Sequence, residues 1–421
     1  MKIFHLSDLH IGARLFQRDL SSDHDYIFDQ VLEEIKKHQP DALVIAGDIF
    51  DKAIPSAEAV ATFNRFVSRL KKEVPDLHVM MISGNHDNNE RIDLFRDVLC
   101  YEKIHMIGKA PNKPDQRIEK VVLQDEFGEV NFYLLPFVRP SMVRPLALSE
   151  YAIAANDKTE NETKSKIRKQ NAESDQPELI PEKYCVSSYQ QALQYLLNRE
   201  EIDLSKRNVI VSHQFYLPAS SKADQLDRCD SEIKTIGNID RIDAELLDGF
   251  DYVALGHIHK PMKCKGENIR YCGSPIPLSV SESRQKKQIL MIDLHEKGNQ
   301  SVTSIELKPK RQVVKLSDLA ENLLSKYSEY ENDYVSVEIT DPVDLNMSDV
   351  NDRLRMKYPY LLDIVRKTDY RRENHEETSE KTKQLSPMEL CLDFAGIRSI
   401  AFDAEELNLL QQAINEAWME E

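Results

Sequence analysis

Residues 1–12 read MKIFHLSDLHIG, an apolar run from Ile3 to Leu6 followed at once by Asp8 and His10. A short run of this composition suits a buried strand. ALVIAG at 42–47 and LHVMMI at 77–82 repeat the pattern. Between the first two, Ile27, Val31, Leu32 and Ile35 recur at helical spacing. Between the second and third, Val60, Phe63, Val67 and Leu70 do the same, with Pro55-Ser56 as a helix start. A β-α-β-α-β order predicts parallel strands joined by helical crossovers, hence an α/β fold. Further predicted strands are VNFYLLP (130–136), NVIVSH (208–213), YVALGH (252–257), IRYCG (269–273) and QILMIDL (288–294).

The chain has 421 residues, a length that favours two or three domains. At 41% hydrophobic and 30% charged residues it can bury a sizeable core and remain soluble. No apolar stretch approaches the length of a membrane span. The N-terminus passes from Lys2 into a strand without a signal-peptide core. The six cysteines are scattered without a C-x-x-C pair, so no disulfide framework or thiolate zinc site is expected. These features predict a cytoplasmic protein with no membrane partner. Net charge is −17, which at face value argues against nucleic acid. The charge is uneven: Arg311 to Glu421 holds 13 Lys+Arg against 24 Asp+Glu, leaving the first 310 residues only mildly acidic.

The pattern divides the chain into a body over 1–308, a small α+β domain over 309–372, a polar linker over 373–385 and a tail over 386–421. Residues 156–178, almost devoid of apolar side chains, are expected to be a disordered surface insertion. A helix is expected over 184–197. In the tail, Ser386 to Glu389 reads as a capping box with proline at the first helical position, and Asp403 to Glu406 offers the same arrangement. The two helices would present Leu392 and Phe394, then Leu407, Leu410, Ile414 and Trp418.

The strand ends carry the chemistry. After the first come Asp8 and His10; after the second, Asp48; after the third, Asn85 and His86. NVIVSH ends in His213, and YVALG is followed by His257 and His259. The carboxyl ends of strands in open α/β sheets are where ligands bind. If the backbone is extended, residues i and i+2 face the same way, so Asp8 with His10 and His257 with His259 each converge on one point. Gly12, Gly47, Gly84 and Gly256 beside them allow close approach. Carboxylate, imidazole and one amide, without thiolate, favour an ion such as Mn²⁺, Fe²⁺ or Zn²⁺. Asp8, His10, Asp48, Asn85, His213, His257 and His259 are too many for one ion, but two ions sharing a carboxylate would use them all. Such a pair suits in-line displacement at a phosphoester. Each motif alone has a bland reading as a turn or surface histidine, and only their joint occurrence is hard to explain by folding needs. His5, His24, His38, His78, His105, His295 and His375 lack partners at useful spacing and are expected to be structural or solvated.

DLH, GDIFD, GNHD, SH and GHIH in this order resemble the calcineurin-like metallophosphoesterases. The N-terminal FHLSDLHIG, with DYVALGHIHKP and IRYCGSPIPLSVSE, is similar to the branch formed by the nuclease subunits of DNA-end-processing complexes. That resemblance implies a four-layer α/β/β/α sandwich, a capping domain and a helical tail that grips a coiled-coil ATPase. It implies two Mn²⁺ ions, one on Asp8, His10 and His259, the other on Asn85, His213 and His257, with Asp48 bridging. His86 would contact the scissile phosphate and assist the leaving group, and the Asp51 carboxylate would orient His86. Arg14, Lys260 and Ser274 lie near the ligands in sequence and are candidate DNA contacts. A homodimer within a heterotetramer is the implied assembly. A phosphoesterase acting on a small phosphoester or a phosphoprotein, and a non-catalytic DNA-end scaffold, remain the alternatives.

Overall fold

The computed structural model describes residues 1–94, 96–165, 180–221, 229–232, 240–341 and 347–366, with four single positions (402, 406, 407 and 409) near the C-terminus. The chain divides into two units, Met1–Arg366 and Lys367–Glu421. The predicted linker and nearly all of the tail therefore lie outside the described residues, including Leu392, Phe394, Leu410, Ile414 and Trp418.

Two six-stranded sheets form the centre of the first unit. The first takes β1 (Lys2–Leu6), β2 (Ala42–Ala46), β3 (His78–Ile82) and β4 (Ile104–Ile107), all parallel. The second contains β5 (Glu119–Asp125), β6 (Gly128–Leu135), β7 (Arg207–His213), β8 (Tyr252–Gly256), β9 (Met262–Lys265) and β10 (Ile269–Tyr271). Within it β6, β7, β8 and β10 run parallel, and β5 and β9 are antiparallel edges. The chain then returns to the first sheet as the antiparallel β11 (Lys287–Leu294) and β12 (Gln300–Leu307).

Alternation along each strand builds the layers. Val44, Met80, Ile82, Phe132, Val209, Val211 and Ala254 fill the space between the sheets. Leu43, Ile45, Val79 and Met81 face the other way, onto α1 (Ser21–His38) and α2 (Ala57–Glu73). Tyr133, Ile210, Val253 and Leu255 face α3 (Pro140–Ser165) and α4 (Tyr189–Asn198). This is the four-layer α/β/β/α order. No helix among the described residues is long and apolar enough to cross a membrane.

Three expectations are corrected. In α2, Ser56 does cap the helix, accepting from the Ala59 N–H, but the buried face is Ala59, Thr62, Phe66 and Leu70. Val60 is exposed, because Phe66 stacks on Phe28 at 4.2 Å between ring centres and sets the rotation of the helix. The run from 156 is not loop from its start: α3 continues to Ser165, and 166–178 lies outside the described residues. An apolar face is needed to anchor a helix, whereas extending one already formed needs only a hydrogen bond per residue. The helix expected over 184–197 starts at Tyr189, where Ser188 and Gln191 form a capping box.

The α+β segment has its own parallel sheet, β13 (Val313–Asp318), β14 (Tyr334–Ile339) and β15 (Leu361–Arg366), covered by Ala320–Ser325 and Met347–Lys357. Leu316, Leu323, Val335, Val337, Leu354 and Tyr358 form its core. It belongs to the same compact unit as the body. Val313 and Tyr334 join the core beneath α1, and the Tyr334 hydroxyl donates to Asp23 at 2.9 Å.

Candidate metal centre

The carboxyl ends of β1, β2, β3, β7 and β8 meet where the two sheets adjoin, and all seven predicted ligands gather there. Two groups form. In one, the Nε2 atoms of His10 and His259 lie 3.1 Å apart beside Asp8. Two nitrogens each about 2.1 Å from one ion, at right angles, would be separated by about 3 Å. In the other, Asn85 Oδ1 lies 3.0 Å from His213 Nε2 and 2.9 Å from His257 Nδ1. Asp48 stands between the groups: its Oδ2 is 3.5 Å from His10 Nε2 and 3.2 Å from His213 Nε2.

Asp8, His10, Asp48, His213 and His259 are each no more than 2% exposed. Asp8 Oδ2 is buried without a hydrogen-bond partner, although Asp8 Oδ1 accepts from the His257 N–H at 2.9 Å. An orphaned carboxylate oxygen is costly unless a cation meets it. Nitrogen-rich donors, two carboxylates and an unpaired oxygen fit divalent ions.

The convergence is not produced by extended backbone. Asp8, His10, Asp48 and His257 have φ of 53°, 45°, 48° and 98°. Left-handed backbone at non-glycine residues costs of order 1–3 kcal/mol each and concentrates at functional sites. The chain turns sharply at each ligand, and hydrogen bonds hold the turns: Asp8 N–H to Gly47 O and His10 N–H to Asp48 O, both 3.0 Å. Gly84 is needed for space, since a Cβ there would lie 2.1 Å from Asp48 Oδ1. His213 Nδ1 donates 2.7 Å across to Ala46 O, tying the sheets together and leaving Nε2 for the site.

His86 is placed differently from the ligands. Its N–H donates to Asp48 Oδ1 at 2.9 Å, and its Nδ1 donates to the Asp51 carbonyl at 3.0 Å. It is the main chain of Asp51, not the carboxylate, that orients His86. The carboxylate turns to His10 instead, with Oδ1 3.5 Å from Nδ1. The predicted role of the Asp51 side chain is corrected accordingly. His86 also comes within 4.8 Å of ligand atoms of His10 and Asp48.

Ser274 is corrected too. It is fully buried, its hydroxyl lies 2.9 Å from Ile276 O and 3.1 Å from Glu282 Oε2 and receives from Lys287, so it cannot reach a phosphate from solvent. Arg14 is exposed with its guanidinium on the Gln17 carbonyl, and Lys260 is half-buried directly after His259. Among the remaining histidines, His24 is structural, bonded to Leu9 O and Leu20 O. His5 bridges the sheets to the Tyr252 hydroxyl, and burial pushes it down to about 3.

Sequence reading missed two supports. Asp87, the last residue of GNHD, accepts from Ile49, Phe50 and Gly84 N–H at 3.0, 2.8 and 2.9 Å, locking the loop after β2 to the loop after β3. The second is a buried group behind His259: Ser231, Glu282 and Lys287. Burial alone would raise the Glu282 carboxyl, but the Lys287 ammonium and His259 hold it well below the usual carboxylate range.

Burial disfavours charge on His10 and His213, but carboxylates outweigh it. Asp51, Asp48 and Asp8 bring His10 up to about 9, and Asp48 and Asp8 bring His213 up to about 9. Raised histidines stabilise the ion-free fold below their unfolded value near 6.5, and that contribution is lost as pH rises through about 9. Ligation needs both rings neutral, so ion uptake must displace protons. Calorimetry in buffers of differing ionisation enthalpy is expected to count about two protons released at pH 7.5 and fewer above pH 9, with affinity climbing between. Affinity independent of pH across that window would contradict the assignment.

Comparison with known proteins agrees with this geometry. Residues 1–261 match the family described as calcineurin-like phosphoesterase. The D component of the SbcCD nuclease from Staphylococcus saprophyticus is 29% identical over 398 residues, covering 91% of this chain and 89% of that protein. The protein of the same name from Staphylococcus epidermidis is 28% identical over 369 residues, covering 86% and 84%. A solved structure titled GAP50, the anchor in the inner membrane complex of Plasmodium, aligns at 10% identity with a TM-score of 0.37, covering 74% of this chain and 90% of that one. With the match running through every predicted ligand, from Asp8 to His259, the chain belongs to the calcineurin-like phosphoesterases.

Proposed function

We propose that this chain is the Mn²⁺-dependent DNA nuclease subunit of an ATP-dependent complex. It would act as an exonuclease on duplex ends and an endonuclease on single strands and hairpins, in replication and recombination. The observation that carries the reading is one cluster of seven donors, all but Asn85 buried, split between two sheets with His86 at its rim. Similarity to the two staphylococcal proteins along most of the chain supports DNA as the substrate.

Asp8, His10 and His259 would hold one ion, Asn85, His213 and His257 the other, and Asp48 both. When bound, the two ions neutralise charge on the phosphodiester and favour in-line displacement. His86 keeps Nδ1 on a carbonyl, which can only accept, so its exchangeable proton is at Nε2. From there it can reach the departing oxygen. Arg14 and Lys260 are proposed to contact DNA phosphates, positions that fix register without reading sequence.

The partners proposed are DNA, an SbcC-type coiled-coil ATPase and a second copy of this chain. For the second copy, Leu94, Val98 and Tyr101 are 59%, 63% and 86% exposed close together in sequence. The two helices expected from the tail sequence are proposed to bind the ATPase, because helices of that length need a surface to cover their apolar stripes. Ending the chain near Lys383 is expected to leave a folded, ion-binding enzyme with basal activity that no longer co-purifies with the ATPase. A stable complex from that truncation would remove the tail as the main partner-binding element.

A nuclease assay on end-labelled duplex and hairpin DNA tests the main reading, with each ion, with and without the ATPase. Mn²⁺ is expected to support more cleavage than Mg²⁺, since Mg²⁺ prefers oxygen ligands and this site is rich in nitrogen. Cleavage that persists after exhaustive chelation, or activity confined to small phosphoesters, would overturn it.

A further inference from the structure

The GSPIPLSVSE stretch following β10 has no part in the ligand set, yet it closes around one ligand. His259 is anchored on every side but one. Its N–H donates to Glu232 Oε1 at 3.0 Å, and its carbonyl accepts from the Ser274 N–H at 3.1 Å. Nδ1 lies 2.7 Å from Ser231 Oγ, and that hydroxyl lies 2.6 Å from Glu282 Oε1. Glu282 Oε2 in turn receives from Lys287 Nζ at 2.6 Å, and Lys287 also donates to Ser274 Oγ at 2.9 Å. Glu282 and Lys287 are each 1% exposed.

Proton counting decides what this arrangement does. A hydroxyl has one proton and can accept as well; an ionised carboxylate can only accept. Paired with Lys287, Glu282 stays ionised and accepts the hydrogen bond that the Ser231 hydroxyl donates. Ser231 then has only acceptor capacity left for His259, so Nδ1 must carry the hydrogen. The other nitrogen, Nε2, is left with a lone pair, and it is this atom that faces His10 Nε2 beside Asp8. A buried ion pair contributes little net stability compared with apolar packing, so its position directly behind a ligand is the informative fact.

We propose that Glu282, acting through Ser231, is a positioning residue that fixes the Nδ1–H tautomer of His259 and aims its Nε2 lone pair at the ion shared with Asp8 and His10. The consequence is asymmetric: this relay serves one ion of the pair and leaves the Asn85, His213 and His257 group untouched. The inference rests on the two-ion reading of the site and not on the identity of the substrate.

The test is titration of the full chain with Mn²⁺, followed by calorimetry and by electron paramagnetic resonance. The wild-type chain is expected to bind two ions and give the spectrum of a spin-coupled pair. Ser231→Ala removes the relay and leaves the Glu282–Lys287 pair intact. It is expected to weaken one ion by about 10–100-fold, the usual effect of losing an outer partner of a ligand. The other ion should bind as before, giving an uncoupled Mn²⁺ signal at one equivalent, with the ion-free melting temperature unchanged. Ser231→Thr keeps the hydroxyl and should restore the pair. Glu282→Met combined with Lys287→Met removes the acceptor without stranding a buried charge, and should reproduce the loss at the same ion. Wild-type affinity for both ions in Ser231→Ala overturns the inference. So does equal weakening of both ions with a lowered melting temperature, which assigns the relay a structural role only. A wild-type chain that binds fewer than two ions overturns the two-ion reading itself.

Discussion

Asp48→Ala is expected to strip both ions from the protein and abolish turnover. Its side chain faces both groups: one carboxylate oxygen lies 3.5 Å from His10 Nε2 and 3.2 Å from His213 Nε2. Its other oxygen holds the His86 N–H. The substitution therefore removes the bridge between the ions and one anchor of the loop that presents His86. Burial, then no longer opposed by the Asp48 carboxylate, should bring both histidines down from about 9. Fewer protons would then be released when ions are added, a change visible by calorimetry even if binding becomes very weak. The loss of activity should exceed the roughly 10²–10⁴-fold expected from losing a single proton donor. Two ions retained at wild-type affinity would show that Asp48 does not bridge.

His86→Ala is expected to lose about 10²–10⁴-fold in rate while retaining both ions. The distinction rests on its hydrogen bonds. Nδ1 is committed to the Asp51 carbonyl, so only Nε2 is available, and the residue is half-exposed where every candidate ligand but Asn85 is buried. A proton donor matters most when the leaving group is a poor one. A diester with a nitrophenolate leaving group needs no proton, so cleavage of bis(p-nitrophenyl) phosphate should fall far less than cleavage of DNA. His86 also approaches His10 and Asp48 closely enough to be a ligand. Loss of an ion from His86→Ala, with both substrates affected equally, would assign it that role.

The strands, and the side chains that gather at their ends, were legible in the sequence because they follow one rule. Each candidate ligand ends a strand or lies just beyond it, and those strands read as buried apolar runs because both faces are covered. What could not be read has a physical cause in each case. Asp51 positions His86 through a carbonyl, which every residue possesses, so the side chain gives no sign of it. Ser274 lies near ligands in sequence, but its backbone enters the interior and its hydroxyl joins Lys287. Ser231, Glu282 and Lys287 are hydrogen-bonded in series although up to 56 positions separate them, and the quoted GSPIPLSVSE run holds Glu282 without pointing to the other two. The left-handed turns at Asp8, His10, Asp48 and His257 carry no glycine signal, because the ligand itself must occupy the strained position. The rotated face of α2 was settled by aromatic packing with Phe28, which helical spacing alone does not specify.

The division of the ligands between two sheets has a mechanical consequence. The first sheet supplies Asp8, His10, Asp48 and Asn85, and the second supplies His213, His257 and His259. Bound ions would act as rivets through the two layers, adding coordinate bonds to an interface otherwise held mainly by apolar side chains and by the His213–Ala46 and His5–Tyr252 hydrogen bonds. Any sliding of one layer over the other would have to break those bonds. Loading should therefore slow amide exchange in the facing strands β2 and β7, far from the solvent-exposed rim. It should also raise the melting temperature with ion concentration, as binding to the native state alone requires.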